Sequence, residues 1–130
     1  NGAAVRFETG TLTLVRCKIR DNEDGILAGA IPDGVLIIRE SEFTGNGHGD
    51  GYSHGVYAGH IAQLFVQNSV FRGTHTGHHI KSRARQTTIE DSILDDGEAD
   101  ADQHLADVKA NELWHGAPPA ALQPTPVGCG

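Results

Sequence analysis

The chain has 130 residues, a formal net charge of −7, seventeen Gly and five Pro. That length fits one domain, the glycine content favours many turns over long helices, and the acidic balance argues against a general nucleic-acid binder, which must neutralise phosphates with a basic surface. No apolar run reaches the roughly eighteen residues of a membrane span, and Asn1-Gly2-Ala3-Ala4 lacks the basic and apolar regions of a signal peptide.

A start at Asn rather than Met is what a removed leader, or a piece of a longer chain, would leave. The cations are local, with Arg72, Lys81, Arg83 and Arg85 close in sequence and Arg6 and Arg16 earlier, so a basic patch can sit on an acidic body. Cys17 and Cys129 are too few for a disulfide framework and say little about compartment.

Taken in order, the chain repeats itself. Leu12 to Ile19, Leu36 to Phe43, Leu64 to Phe71 and Thr87 to Leu94 superimpose without gaps at offsets of 24, 28 and 23 residues. They define an apolar column (Leu14, Ile38, Val66, Ile89), a small-residue column (Cys17, Ser41, Ser69, Ser92) and a second apolar column (Ile19, Phe43, Phe71, Leu94). A shorter repeat lies between them: Val5-Arg6-Phe7, Ile26-Leu27-Ala28, Val56-Tyr57-Ala58, Ile80-Lys81-Ser82 and Leu105-Ala106-Asp107, with the middle residue facing out. Corners fall at Asp21-Asn22, Gly45-Asn46, Arg72-Gly73 and Asp95-Asp96-Gly97.

Period-two alternation in short pieces, with bends between them, predicts an all-β chain: a right-handed parallel β-helix of four to five coils over residues 1-98. One coil of about 23 residues cannot bury its own apolar side, whereas coils stacked about 4.8 Å apart bury like on like. Residues 99-130 read as an irregular or capping segment, acidic at first and Pro-rich towards the end.

The candidate site centres on Gly77 to Ala84. With Ile80, Ser82 and Ala84 inward on a strand, His79, Lys81 and Arg83 point outward, neighbours about 7 Å apart. Stacking puts Arg6, Leu27, Tyr57 and Lys81 in one outward column, Gly29, Gly59 and Arg83 in the next, and Gly25, Gly55 and His79 in the one before. Glycine beside large polar groups suggests room for a ligand, with His54, His60, His75 and His78 around the face. The functional reading is a shallow groove for an acidic, elongated substrate, with Lys81 or His79 as base, Tyr57 or a His as proton donor, and Arg83 gripping a carboxylate; His54, His60, His78 and Arg6 would bind substrate. The plainer reading is the solvated face of a sheet with hydrogen-bonded corner histidines.

Gly45-Asn46-Gly47, His54-Gly55-Val56-Tyr57, Asn68-Ser69-Val70-Phe71 and Gly77-His78-His79-Ile80-Lys81-Ser82-Arg83-Ala84 resemble bacterial right-handed parallel β-helix proteins of the pectate-lyase-like superfamily, over about residues 2 to 98. The resemblance implies the fold; members act as lyases, epimerases, hydrolases, esterases or non-catalytic spikes. Lys81 and Arg83 are similar to the Lys and Arg pair by which some of these lyases take the C5 proton of a uronic acid. Such enzymes usually have eight or more coils, and this chain shows no regular coil beyond residue 98.

No metal site or cofactor is expected. The loop from Gly45 to Gly51 could wrap Ca²⁺ through Asp50 and Asn46 but lacks an EF-hand spacing, and adjacent His78 and His79 face opposite ways. The leading expectation is a carbohydrate-active protein, extracellular or periplasmic, that binds or cleaves an anionic, uronic-acid-containing polysaccharide by β-elimination. The alternatives are a glycosidase, an esterase using Ser53 or Ser82, or a non-catalytic structural or glycan-binding module. Exposed sheet edges at the ends of a short stack predict a homo-oligomer, with Leu113, Trp114 and Leu122 available to cap the far end.

Overall fold

The computed structural model describes residues 2–49, 52–95 and 106–109 and the backbone of 127–128. Each coil gives one strand to each of three parallel sheets. The first coil holds β1 (Ala3–Phe7), β2 (Thr11–Val15) and β3 (Lys18–Arg20), and the second β4 (Asp24–Ala28), β5 (Ile31–Arg39) and β6 (Glu42–Thr44). The third holds β7 (Val56–Ala58), β8 (Ile61–Gln67) and β9 (Val70–Arg72), and the fourth β10 (Ile80–Ser82), β11 (Gln86–Glu90) and β12 (Ile93–Asp95). Two more strands, β13 (Ala106–Val108) and β14 (Val127–Gly128), follow. Sheet A runs β1-β4-β7-β10-β13, sheet B β11-β8-β5-β2-β14, and sheet C β12-β9-β6-β3. The protein is an all-β parallel β-solenoid of about four turns, with no helix among the described residues.

The stacking register is the one the repeats predict. Leu14 pairs with Ile38, Ile38 with Val66 and Val66 with Ile89, while Ile19, Phe43, Phe71 and Leu94 form the column at the next corner. The rings of Phe43 and Phe71 stack with centroids 4.5 Å apart, and both are buried, as are Ile26, Leu36, Leu64, Val56 and Ile80. Like therefore stacks on like through the buried interior.

The small-residue column is a hydrogen-bond ladder. The N–H groups of Cys17, Ser41 and Ser69 donate to the hydroxyls of Ser41, Ser69 and Ser92 at 3.2, 3.2 and 3.1 Å. Those hydroxyls donate to the carbonyls of Arg39, Gln67 and Glu90, two residues back. The residue before each rung is left-handed, with φ of 55° at Arg16, 53° at Glu40, 49° at Asn68 and 50° at Asp91, so one tight corner recurs in every coil. Cys17 is also disulfide-bonded, which its sequence context did not suggest; the one other cysteine, Cys129, lies outside the described residues.

Two expectations about the C-terminal part change. The fifth strand of sheet A pairs Ile80 with Ala106, Lys81 with Asp107 and Ser82 with Val108. The repeat is thus Ala106-Asp107-Val108, one residue later than read from sequence, and Asp107 is its outward member. Residues 127–128 lie beside β2, at the first end of the stack, whereas the tail was expected over the second. Leu113, Trp114 and Leu122 lie outside the described residues.

Candidate functional site

On the outer face of sheet A, the register Arg6, Leu27, Tyr57, Lys81, Asp107 makes a single column across five strands. It faces out because the flanking positions, Ile26 and Ala28, Val56 and Ala58, Ile80 and Ser82, are buried completely. The Lys81 ammonium stands 5.8 Å from the centre of the Tyr57 ring, a cation–π arrangement. Arg6 and Glu8, both well exposed, form an ion pair at 3.7 Å. Beside the column, a hollow of about 350 Å³ is lined by Arg6, Glu8, Leu27, Gly29, Ala30 and Tyr57.

Only one of the glycines expected to make room does so. A Cβ on Gly29 would meet nothing within 4 Å, and Gly29 lines the hollow. At Gly55 a Cβ would lie 2.5 Å from the His79 carbonyl, and at Gly59 2.5 Å from that of Gly29; Gly25 is blocked likewise by Gly55. These positions are glycine because adjacent coils approach too closely for a side chain, not because a ligand enters there.

The expected outward row of His79, Lys81 and Arg83 is corrected at His79. β10 begins at Ile80, so the alternation does not reach back to His79, which sits in the preceding bend and is fully buried. Its Nδ1 lies 2.7 Å from Thr74 Oγ1, and its ring is 6.4 Å from that of Phe71. His79 belongs to the core and does not reach the groove.

The other histidines do not gather on the groove either. The backbone N–H of buried His54 donates to Asp24 Oδ1 at 2.8 Å, and its Nδ1 accepts the His78 N–H at 3.0 Å, so that nitrogen carries no proton. The His54 ring lies 6.0 Å from Tyr57 and 5.2 Å from His78, which makes it a backing for the tyrosine. His54 and half-buried His78 precede their strands; exposed His60 follows β7. The short strands of sheet A therefore separate them. Exposed His75 lies against the loop at Gly45 and Gly47.

Arg83 is on the outer face, and it is engaged. Its Nη2 donates to Asp107 Oδ2 at 2.7 Å, while Nη1 donates to the Ser82 carbonyl at 3.0 Å and the Asp107 carbonyl at 3.3 Å. The guanidinium's hydrogen bond to Asp107 holds that carboxyl below its usual range, against a smaller opposing effect of burial, with help from the charges of Arg83, His78 and Lys109. Sequence reasoning missed Asp107 because the strand carrying it was read one residue early.

Of the candidate nucleophiles, Ser82 is fully buried with its Oγ 2.7 Å from Thr87 Oγ1, and buried Ser53 accepts the His48 N–H at 2.6 Å. Asn46 of the candidate Ca²⁺ loop points into the fold, accepting from Asn22 and donating to the Ile19 carbonyl; Asp50 lies outside the described residues. Among the described residues, no three His, Cys, Asp or Glu side chains come together as metal ligands. What the face offers is an apolar floor, one aromatic ring, Arg6 at one end and Lys81 near the other. No family model, curated protein or solved structure matches this chain.

Proposed function

We propose that the protein is a carbohydrate-binding β-solenoid of the pectate-lyase-like kind that takes an anionic, uronic-acid-containing polysaccharide along the outer face of sheet A. The observation that carries this reading is the column in which Lys81 stands beside Tyr57, and Tyr57 in turn lines a hollow edged by Arg6. A sugar ring packs its C–H face on an aromatic or apolar floor, and a carboxylate finds Lys81 or Arg6 at the edge. Binding is put before cleavage because His79 is buried, and because in the unliganded chain Arg83, the group expected to neutralise a uronate, is bonded to Asp107. The disulfide at Cys17 supports an oxidising, extracellular or periplasmic, location.

The test is retardation of the protein in native gels cast with polygalacturonate or with neutral dextran. Retardation by the acidic polymer alone is expected, with affinity falling roughly fivefold or more in Lys81→Ala and in Tyr57→Ala. Equal retardation by both polymers, or none, overturns the reading. Release of unsaturated product, seen as new ultraviolet absorbance and lost in Lys81→Ala, would turn it from binding to β-elimination.

A further inference from the structure

Asp107 closes the outward column with the opposite charge. It lies one rung beyond Lys81, about 4.8 Å along the stack. The cations at this end meet at it: Arg83 donates to both its carboxylate and its carbonyl, and Lys109 lies two residues further along the chain. An acidic ligand running along the column towards Lys81 would meet this carboxylate where its own would go. From the paired guanidinium and the register, we propose that Asp107 is a built-in competitor: it holds Arg83 as a stand-in for a ligand carboxylate, and the acidic polysaccharide gains its last contact by displacing it and lifting β13.

This inference rests on the binding reading above. The exchange is energetically feasible because one carboxylate replaces another on the same guanidinium, leaving the pairing nearly unchanged. The balance is then set by what holds β13. That strand has three residues, pairs among the described residues along one side only, with β10, and leaves Val108 about half exposed. Among the described residues, the Lys109 N–H on the Ser82 carbonyl at 2.9 Å and the Arg83 pair also attach it. Short edge strands with little buried apolar area open at low cost.

The experiment titrates the full chain with a galacturonate oligomer, in wild type, Asp107→Asn, Asp107→Glu and the double variant Asp107→Asn with Arg83→Gln, while following amide exchange at Lys109, whose N–H is bonded to the Ser82 carbonyl. Asp107→Asn is expected to bind roughly fivefold tighter, the effect of one partly exposed ion pair. Asp107→Glu, which keeps the charge, should bind like wild type, and the double variant should lose the gain. In wild type, saturating oligomer should speed exchange at Lys109 while the Arg83 amide, bonded to the Ala58 carbonyl, stays protected. Binding in Asp107→Asn equal to or weaker than wild type, or unchanged exchange at saturation, overturns the competitor role and leaves the binding reading standing. Absence of binding in all four proteins overturns both.

Discussion

Ser69 stands in the middle of a ladder in which the hydroxyl of one coil receives the backbone N–H of the coil before it. Ser69→Ala leaves the buried Ser41 N–H without that acceptor, and an orphaned buried donor costs about 1–3 kcal/mol. Urea unfolding should register this as a lower midpoint, with a smaller loss for Ser92→Ala at the more exposed end of the ladder; an unchanged midpoint in Ser69→Ala would show the ladder carries no stability. The sequence revealed the column as Cys17, Ser41, Ser69 and Ser92, since small residues recur at fixed offsets. It did not reveal the left-handed corners before them, because Arg16, Glu40, Asn68 and Asp91 are not the glycines that usually mark positive φ. His79 was misplaced for a related reason. Alternation holds only within a strand, and a bend before β10 lets Thr74 draw the ring inward.

Among the elements, β13 has an attachment that depends on charge, the Arg83–Asp107 pair at 2.7 Å. Asp107 has its carboxyl lowered by Arg83, so the ionised form is favoured in the folded chain. Such a group adds stability above its unfolded value, near 3.9 for Asp, and loses it as pH falls through the lower folded value. β13 should therefore stay docked from neutral pH down to about pH 4 and loosen below it. Exchange at Lys109, corrected for the intrinsic pH dependence, checks this; protection that shows no decline as pH falls below about 4, or that fails already at about pH 6, contradicts it. The central strands were legible because each inward pair, such as Ile26 and Ala28 or Val56 and Ala58, repeats in the next coil. In 105-108 the choice between two registers turns on whether Asp107 faces out, and only the Arg83 partner, 24 residues away, decides that.

Across the whole molecule, the repeat that builds the stack also leaves its ends. Among the described residues, β11 and β12 at one end and β1 and β3 at the other have a strand on one side only, and Ile93 is half exposed. Unpaired edges recruit strands from other chains, so a homo-oligomer is expected, with light scattering giving a mass above the 13.8 kDa of one chain. A monodisperse monomer at high concentration would show the ends are closed within one chain. The outward column of sheet A was readable from the four repeats, whereas the hollow beside Gly29 was not, since nothing in sequence distinguishes it from Gly25 and Gly55, where coils touch. The most direct test of the binding face is a chemical-shift titration of the isotope-labelled chain with a galacturonate oligomer. Saturable shifts concentrated on the amides around Arg6, Leu27, Gly29, Tyr57 and Lys81 are the predicted result. Shifts confined to sheets B and C would place the ligand elsewhere and contradict the account.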